Sequence, residues 1–163
     1  MTMQRLHLHL PDETATARLG ADLAQVLVPG LAIYLHGDLG AGKTALTRAL
    51  LHAAGYQGRV KSPTYTLAEP YEVSFAGRMV TVIHFDLYRM ASPEEFLDAG
   101  FREHFSENSV CIVEWPEKGD PVLPPPDIHV NLSLAGDGRD VELRALSDKG
   151  HQCLARLKFA PNL

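Results

Sequence analysis

Eight residues carry the plainest chemistry in the chain: Gly37-Asp38-Leu39-Gly40-Ala41-Gly42-Lys43-Thr44, spaced as G-x-x-x-x-G-K-T. Glycines let a backbone curl until successive N–H groups point inward, and such a concavity attracts phosphate oxygens. A helix starting near Lys43 adds the positive end of its dipole to the same spot. In this arrangement the lysine ammonium reaches β- and γ-phosphates, and the Thr44 hydroxyl offers an oxygen to Mg²⁺. Only on the order of 0.5% of chains this long would match the four fixed positions by chance. A phosphate-binding P-loop is therefore expected, rather than a glycine turn with a surface lysine.

Such a loop needs a carboxylate near the magnesium, usually at the end of a neighbouring buried strand. Two residues fit. Glu114 follows the apolar run Val110-Cys111-Ile112-Val113, and Asp86 follows Val80-Thr81-Val82-Ile83-His84-Phe85. Spacing alone does not choose between them. A third feature is Lys61-Ser62-Pro63-Thr64-Tyr65-Thr66, where a hydroxyl-bearing loop is placed to sense a γ-phosphate; a plain turn set by Ser62-Pro63 is the alternative. The eight histidines offer no convincing ligand set. His7 with His9, and His84 with Asp86, share strand faces at period two, and a bare pair is too few for a closed zinc site. The histidines are read as structural.

The elements that must position these groups follow from periodicity and punctuation. Leu6 to Leu10 alternates at period two, as a strand does. Asp12 is a plausible N-cap for a helix running to about Val28, ended by Pro29-Gly30, with Leu19, Leu23, Val26 and Leu27 inward. Leu31-Ala32-Ile33-Tyr34-Leu35 lacks polar alternation, which suits a strand buried on both faces of a parallel sheet. The P-loop comes next, then a helix from Lys43 to about Ala54 closed by Gly55. Ser62 to Val73 reads as loop and then extended chain. Phe75-Ala76-Gly77-Arg78 is a turn, and Met79 to Phe85 a strand. Ser92-Pro93-Glu94-Glu95 opens a short helix with Ser92 and Glu95 as a capping box. Val110 to Val113 is another strand, and Pro121 to Pro126 a stiff connector. Asp127 to Leu134 and Val141 to Ala145 form a hairpin, and Ser147 to Leu157 a closing helix. The expected fold is α/β: one P-loop domain over residues 1–163, its mostly parallel central sheet flanked by helices with an antiparallel hairpin added.

Composition sets the wider bounds. The hydrophobic fraction is 45% and the charged fraction 21%, ordinary for a globular chain of 163 residues. Met1 to Leu10 is not an uninterrupted apolar leader, and no apolar run is long enough to span a bilayer. A cytoplasmic protein with no membrane partner is expected. The two cysteines, Cys111 and Cys153, read as reduced thiols in or near the core. Net charge is −5, whereas nucleic-acid binders carry a basic face. Arg48, Arg59 and Lys61 near the loop read as ordinary surface charge.

Taken in order, GDLGAGKT, KSPTYTL, HFDLYR and VEWPEKG resemble the TsaE family, the bacterial ATPases of tRNA threonylcarbamoyladenosine (t6A) biosynthesis. The resemblance runs from about Leu10 to Pro126. The loop is generic, but the other three motifs in this order are specific. The resemblance implies a phosphate cradle of Asp38, Leu39, Gly40, Ala41, Gly42, Lys43 and Thr44. It implies Thr44 and Glu114 as Mg²⁺ ligands, which leaves Asp86 free for catalysis, orienting the attacking water. Lys43 would neutralise developing charge, Thr64 would belong to the switch loop, and Trp115 would sit beside the nucleotide.

The resemblance also implies slow hydrolysis of ATP to ADP, faster with TsaB- and TsaD-type partners. That pair transfers a threonylcarbamoyl group to adenosine 37 of tRNAs reading ANN codons, so tRNA is met only through the complex. The implied role of hydrolysis is to reset that complex, while a separate enzyme makes the threonylcarbamoyl-adenylate. An acidic chain working through protein partners needs no large basic face. Arg89 and a partner's residue are the arginine-finger candidates, and Asp12 to Thr16 is a candidate wall of the base pocket. Other readings are a GTPase, a small-molecule or nucleoside kinase, and a nucleotide-dependent binding module without turnover. The guanine-reading Asn-Lys-x-Asp pattern and an arginine-rich lid after Glu114 are both absent from the sequence.

Overall fold

A computed structural model of the chain describes residues 5–75 and 77–157. Met1 to Gln4 of the alternating N-terminal run, and Ala76 of the expected turn, lie outside them. Strand β1 (Arg5–Leu10) is followed by helix α1 (Glu13–Val26) and strand β2 (Ala32–His36). Asp12 caps α1 by accepting from the Ala15 N–H at 2.9 Å. The helix ends two residues before Val28, with Leu27 already extended; Pro29 disfavours helical geometry at Val28, the residue before it, but the extension of Leu27 is not explained by it. Helix α2 (Lys43–Ala53) follows the P-loop, and Gly55, at φ +101°, closes it as expected.

Strands β3 (Ala68–Phe75) and β4 (Arg78–Asp86) form an antiparallel pair. Helix α3 (Pro93–Asp98) leads through a 3-10 turn at Phe101–His104 into β5 (Ser109–Glu114). A second 3-10 turn at Pro116–Gly119 precedes the hairpin of β6 (Ile128–Ala135) and β7 (Gly138–Ala145), and α4 (Asp148–Leu157) closes the fold. The capping box expected at α3 does not form. Ser92 takes the cap position and Pro93 the first helical one, but the Glu95 N–H is occupied by the Ser92 carbonyl at 3.2 Å. Among the described residues the Ser92 hydroxyl makes no capping bond.

The seven strands lie in one sheet in the order β1-β7-β6-β2-β5-β4-β3. The central four, β6, β2, β5 and β4, are mutually parallel. Antiparallel partners extend both sides: the β6–β7 hairpin with β1, and β3 on β4. Continuous apolar runs occur where a strand has a core on each face. Ile33 and Leu35 of β2, with Val110 and Ile112 of β5, enter the larger core with α1, α2 and α4. Ala32 and Tyr34, with Cys111 and Val113, enter the smaller core with Phe85, Phe96 and the first 3-10 turn. Cys111 and Cys153 are free and buried. Among the described residues no helix is long and apolar enough to cross a membrane.

Candidate active site

Parallel strands end on one edge, so β2, β5 and β4 deliver three chain segments to one place. β2 runs into the P-loop, β5 ends at Glu114, and β4 ends at Asp86. Asp86 and Glu114 are register partners, as are Leu35 and Glu114. Side chains alternate across a strand. Glu114 therefore shares its face with Val110 and Ile112, and His84 shares a face with Val80 and Val82, all of which pack into the α2 side of the sheet.

Sterics require glycine at the loop's first position. Gly37 has φ +147°, and a Cβ there would sit 2.5 Å from the Leu132 carbonyl oxygen. Gly42 occupies the cap position of α2 in the left-handed region at φ +106°, which glycine alone enters at little cost. The Asp38 carbonyl accepts from the Ala41 N–H at 3.0 Å, and Leu39 is exposed at the tip. Two further bonds come from far along the chain. The Arg139 guanidinium on β7 donates to the carbonyls of Ala41 (3.0 Å) and Gly40 (3.2 Å). This strap satisfies those two carbonyls and ties the loop to β7. Arg139 was not singled out by sequence, because its role depends on β7 crossing back beside the loop.

Lys43 is buried, with its Nζ donating to the Gly37 carbonyl at 2.5 Å and lying 3.7 Å from the Trp115 ring centroid. Burial pulls the lysine pKa below its ordinary value, while the carboxylates of Glu114, Asp86, Glu117 and Asp38 draw it back up. Trp115 is held at φ +57° at the end of β5; a bulky residue there is uncommon, and such positions cluster at functional sites. Tyr88 packs against the indole at 4.9 Å between centroids.

The Thr44 hydroxyl donates to Glu114 Oε2 at 2.9 Å. Two hard oxygen donors, of the kind that magnesium takes from protein, are thus brought together. Among the described residues no group of three or more His, Cys, Asp or Glu gathers to hold a metal by itself. His84, read from sequence as structural, is fully buried and lies 2.7 Å from the same Glu114 oxygen.

Asp86 is buried, and its Oδ1 accepts from the Tyr88 N–H at 3.0 Å. Burial raises its pKa above the usual carboxylate range; the Tyr88 bond opposes the shift, and Glu114 adds to it. Thr64 does not touch Lys43 or Thr44. It meets Ser62 Oγ at 3.0 Å, and Ser62 in turn lies 3.5 Å from Asp86 Oδ2. The segment is tied to the site by backbone, with Leu67 donating to the Pro63 carbonyl and accepting from the Asp86 N–H. Arg89 lies outside this cluster, with its guanidinium 4.9 Å from the exposed Tyr65 ring. An open cavity of about 680 Å³ reaches Gly42 and is lined by Asp12, Glu13, Thr16, Arg48 and Arg139.

A family model described as "Threonylcarbamoyl adenosine biosynthesis protein TsaE" matches residues 10–141. The chain is 45% identical over 158 residues to the tRNA threonylcarbamoyladenosine biosynthesis protein TsaE of Haemophilus influenzae, covering 94% of this chain and 98% of that one. It is 35% identical over 155 residues to the protein of the same name from Bacillus subtilis, covering 94% and 92%. The solved structure described as "Crystal structure of Bacillus subtilus YdiB" superposes with a TM-score of 0.79 at 23% identity, covering 99% of both chains. At that identity the likeness is one of fold.

Proposed function

The chain belongs to the TsaE family, and on that premise we propose that it binds Mg²⁺-ATP on Gly37–Thr44 and hydrolyses it slowly to ADP and phosphate. Hydrolysis serves t6A formation on tRNA by a TsaB–TsaD-type pair in the cytoplasm. The observation that carries this reading is the convergence of Lys43, Thr44, Glu114 and Asp86 on one edge of the parallel strands. The relatives named above supply the pathway; their names say that they act in tRNA threonylcarbamoyladenosine biosynthesis.

Each residue then has a task. The loop amides and the start of α2 hold the phosphates. Lys43 leaves the Gly37 carbonyl for the β- and γ-phosphate oxygens, and Trp115 keeps that side of the site dry. Thr44 and Glu114 hold Mg²⁺, which when bound neutralises charge on the phosphates. Asp86, desolvated and a strand's width from Glu114, is placed to accept a hydrogen bond from the attacking water. Thr64 and its neighbours form the loop that responds to the γ-phosphate. Arg89, the chain's own finger candidate, lies against the Tyr65 ring, and lack of a finger costs roughly 10³–10⁵ in rate. Slow turnover alone and faster turnover in complex follow.

The test is phosphate release from Mg²⁺-ATP, with and without the TsaB–TsaD pair. We expect weak release alone, a marked rise with the pair, and none from Lys43→Ala under either condition. Turnover indifferent to the pair would sever the link to t6A transfer. Undiminished turnover in Lys43→Ala would overturn the phosphate assignment.

A further inference from the structure

One fully buried side chain outside the P-loop contacts Glu114. His84 lies on β4, fully buried, with Nε2 2.7 Å from Glu114 Oε2. Its other ring nitrogen, Nδ1, is buried with no hydrogen-bond partner among the described residues. A carboxylate oxygen is an acceptor, so the ring nitrogen beside it, Nε2, donates that bond.

The two oxygens of Glu114 are made unequal as a result. Oε2 receives both Thr44 Oγ1–H and His84 Nε2–H, while Oε1 accepts no hydrogen bond among the described residues. A glutamate side chain has several rotatable bonds, and in this site it ends beside a like charge, Asp86, its register partner. Thr44 alone holds it only through a residue that is itself a candidate metal ligand. His84 holds it from β4, a strand paired on both sides, by β5 and by β3.

We propose that His84 is a positioning residue for the metal carboxylate: its Nε2–H fixes Glu114 so that Oε1 is the oxygen presented to the cation. The inference rests on the Mg²⁺-nucleotide reading above and adds to it a residue that contacts neither metal nor nucleotide. Loss of such partners of metal ligands costs about 10–100-fold in metal affinity.

The experiment is calorimetric titration of ADP into the full chain, at graded Mg²⁺ concentrations and in EDTA. In H84L, which is apolar and leaves no orphaned nitrogen, apparent Mg²⁺ affinity of the ADP complex is expected to fall tenfold or more. ADP affinity in EDTA should stay at the wild-type value. H84Q, whose amide reaches the position of the histidine Nε2, should restore Mg²⁺ affinity to within a few fold. A merely structural role would move the EDTA value as well, and glutamine would rescue neither. If H84L does not fold, H84N takes its place, since its shorter amide cannot reach Oε2. Wild-type Mg²⁺ dependence with an unaltered H84L, or equal weakening with and without Mg²⁺, would overturn the role of His84 alone. A wild-type chain that bound ADP with no Mg²⁺ dependence would overturn the metal assignment of Thr44 and Glu114, and this proposal with it.

Discussion

Two carboxylates end adjacent strands in the same site, and their surroundings divide them. Glu114 meets two side-chain donors on one oxygen, while Asp86 has one firm bond from the Tyr88 amide and a long approach from Ser62. Environments that differ this way give two acids different tasks. Glu114→Ala should weaken Mg²⁺-dependent nucleotide binding more than Asp86→Ala does, in the same calorimetric titration; the reverse ranking would exchange their roles. Asp86 also bears on stability. Burial raises its folded pKa, so its ionised form is disfavoured by folding. That penalty is absent below the unfolded value and is fully present once pH exceeds the folded one. Asp86→Asn should therefore raise the thermal midpoint at pH 7 by about 2–4 °C while lowering turnover. The gain should shrink in melts at pH 4. Lys43 and Thr44 were legible from the glycine–lysine spacing, and Asp86 and Glu114 because each ends a strand whose apolar run announces it. His84 was not, since its meaning lies in which acid it faces across the sheet.

The loop works as an element only because other elements press on it. Gly37 has the β6 carbonyl of Leu132 against it, and Arg139 of β7 ties down Gly40 and Ala41. A methyl group at Gly37 would meet rigid backbone, not a flexible side chain. Gly37→Ala should cost about 1–3 kcal/mol of stability, read in denaturant melts, and should weaken ADP binding even in EDTA. A variant as stable and as tight as the wild type would show that the loop tolerates a shift of β6. The glycine–lysine spacing was legible because it is local. The strap was not, because Arg139 lies on a different strand nearly a hundred positions on. The capping box at Ser92 failed for a related reason: the pattern names candidate donors and acceptors, and a carbonyl that bonds first leaves the hydroxyl unused.

For the molecule as a whole, strand order decides which groups meet. Placing β6 beside β2 brings His36 Nε2 to 2.6 Å from His129 Nδ1. Burial, then His36 and Arg144, lower the His129 pKa from 6.5 to about 4, and burial lowers that of His36. A histidine with a depressed folded pKa contributes stability that is present above its unfolded value and is lost as pH falls toward the folded one. The thermal midpoint should therefore drop between pH 7 and pH 4.5, and His129→Gln should flatten that slope. An equal slope in the variant would place the acid sensitivity elsewhere. The class of fold and nearly every element were legible, because buried parallel strands and capped helices write themselves into periodicity. The antiparallel pairings of β3 with β4 and of β1 with β7, and the meeting of the two histidines, were not, since nothing local to a strand records its neighbour.

Trp115 is the only tryptophan in the chain, and the Lys43 ammonium lies over its ring. Indole emission responds to a charge held against its face. On the reading proposed here, that charge departs each time a phosphate arrives and returns each time it leaves. The chain thus carries an unlabelled optical signal of phosphate occupancy: emission should shift on adding ADP or ATP and stay constant with adenosine, which has no phosphate to draw the lysine away. A stopped-flow trace of that light would time the filling and emptying of the loop with no dye attached.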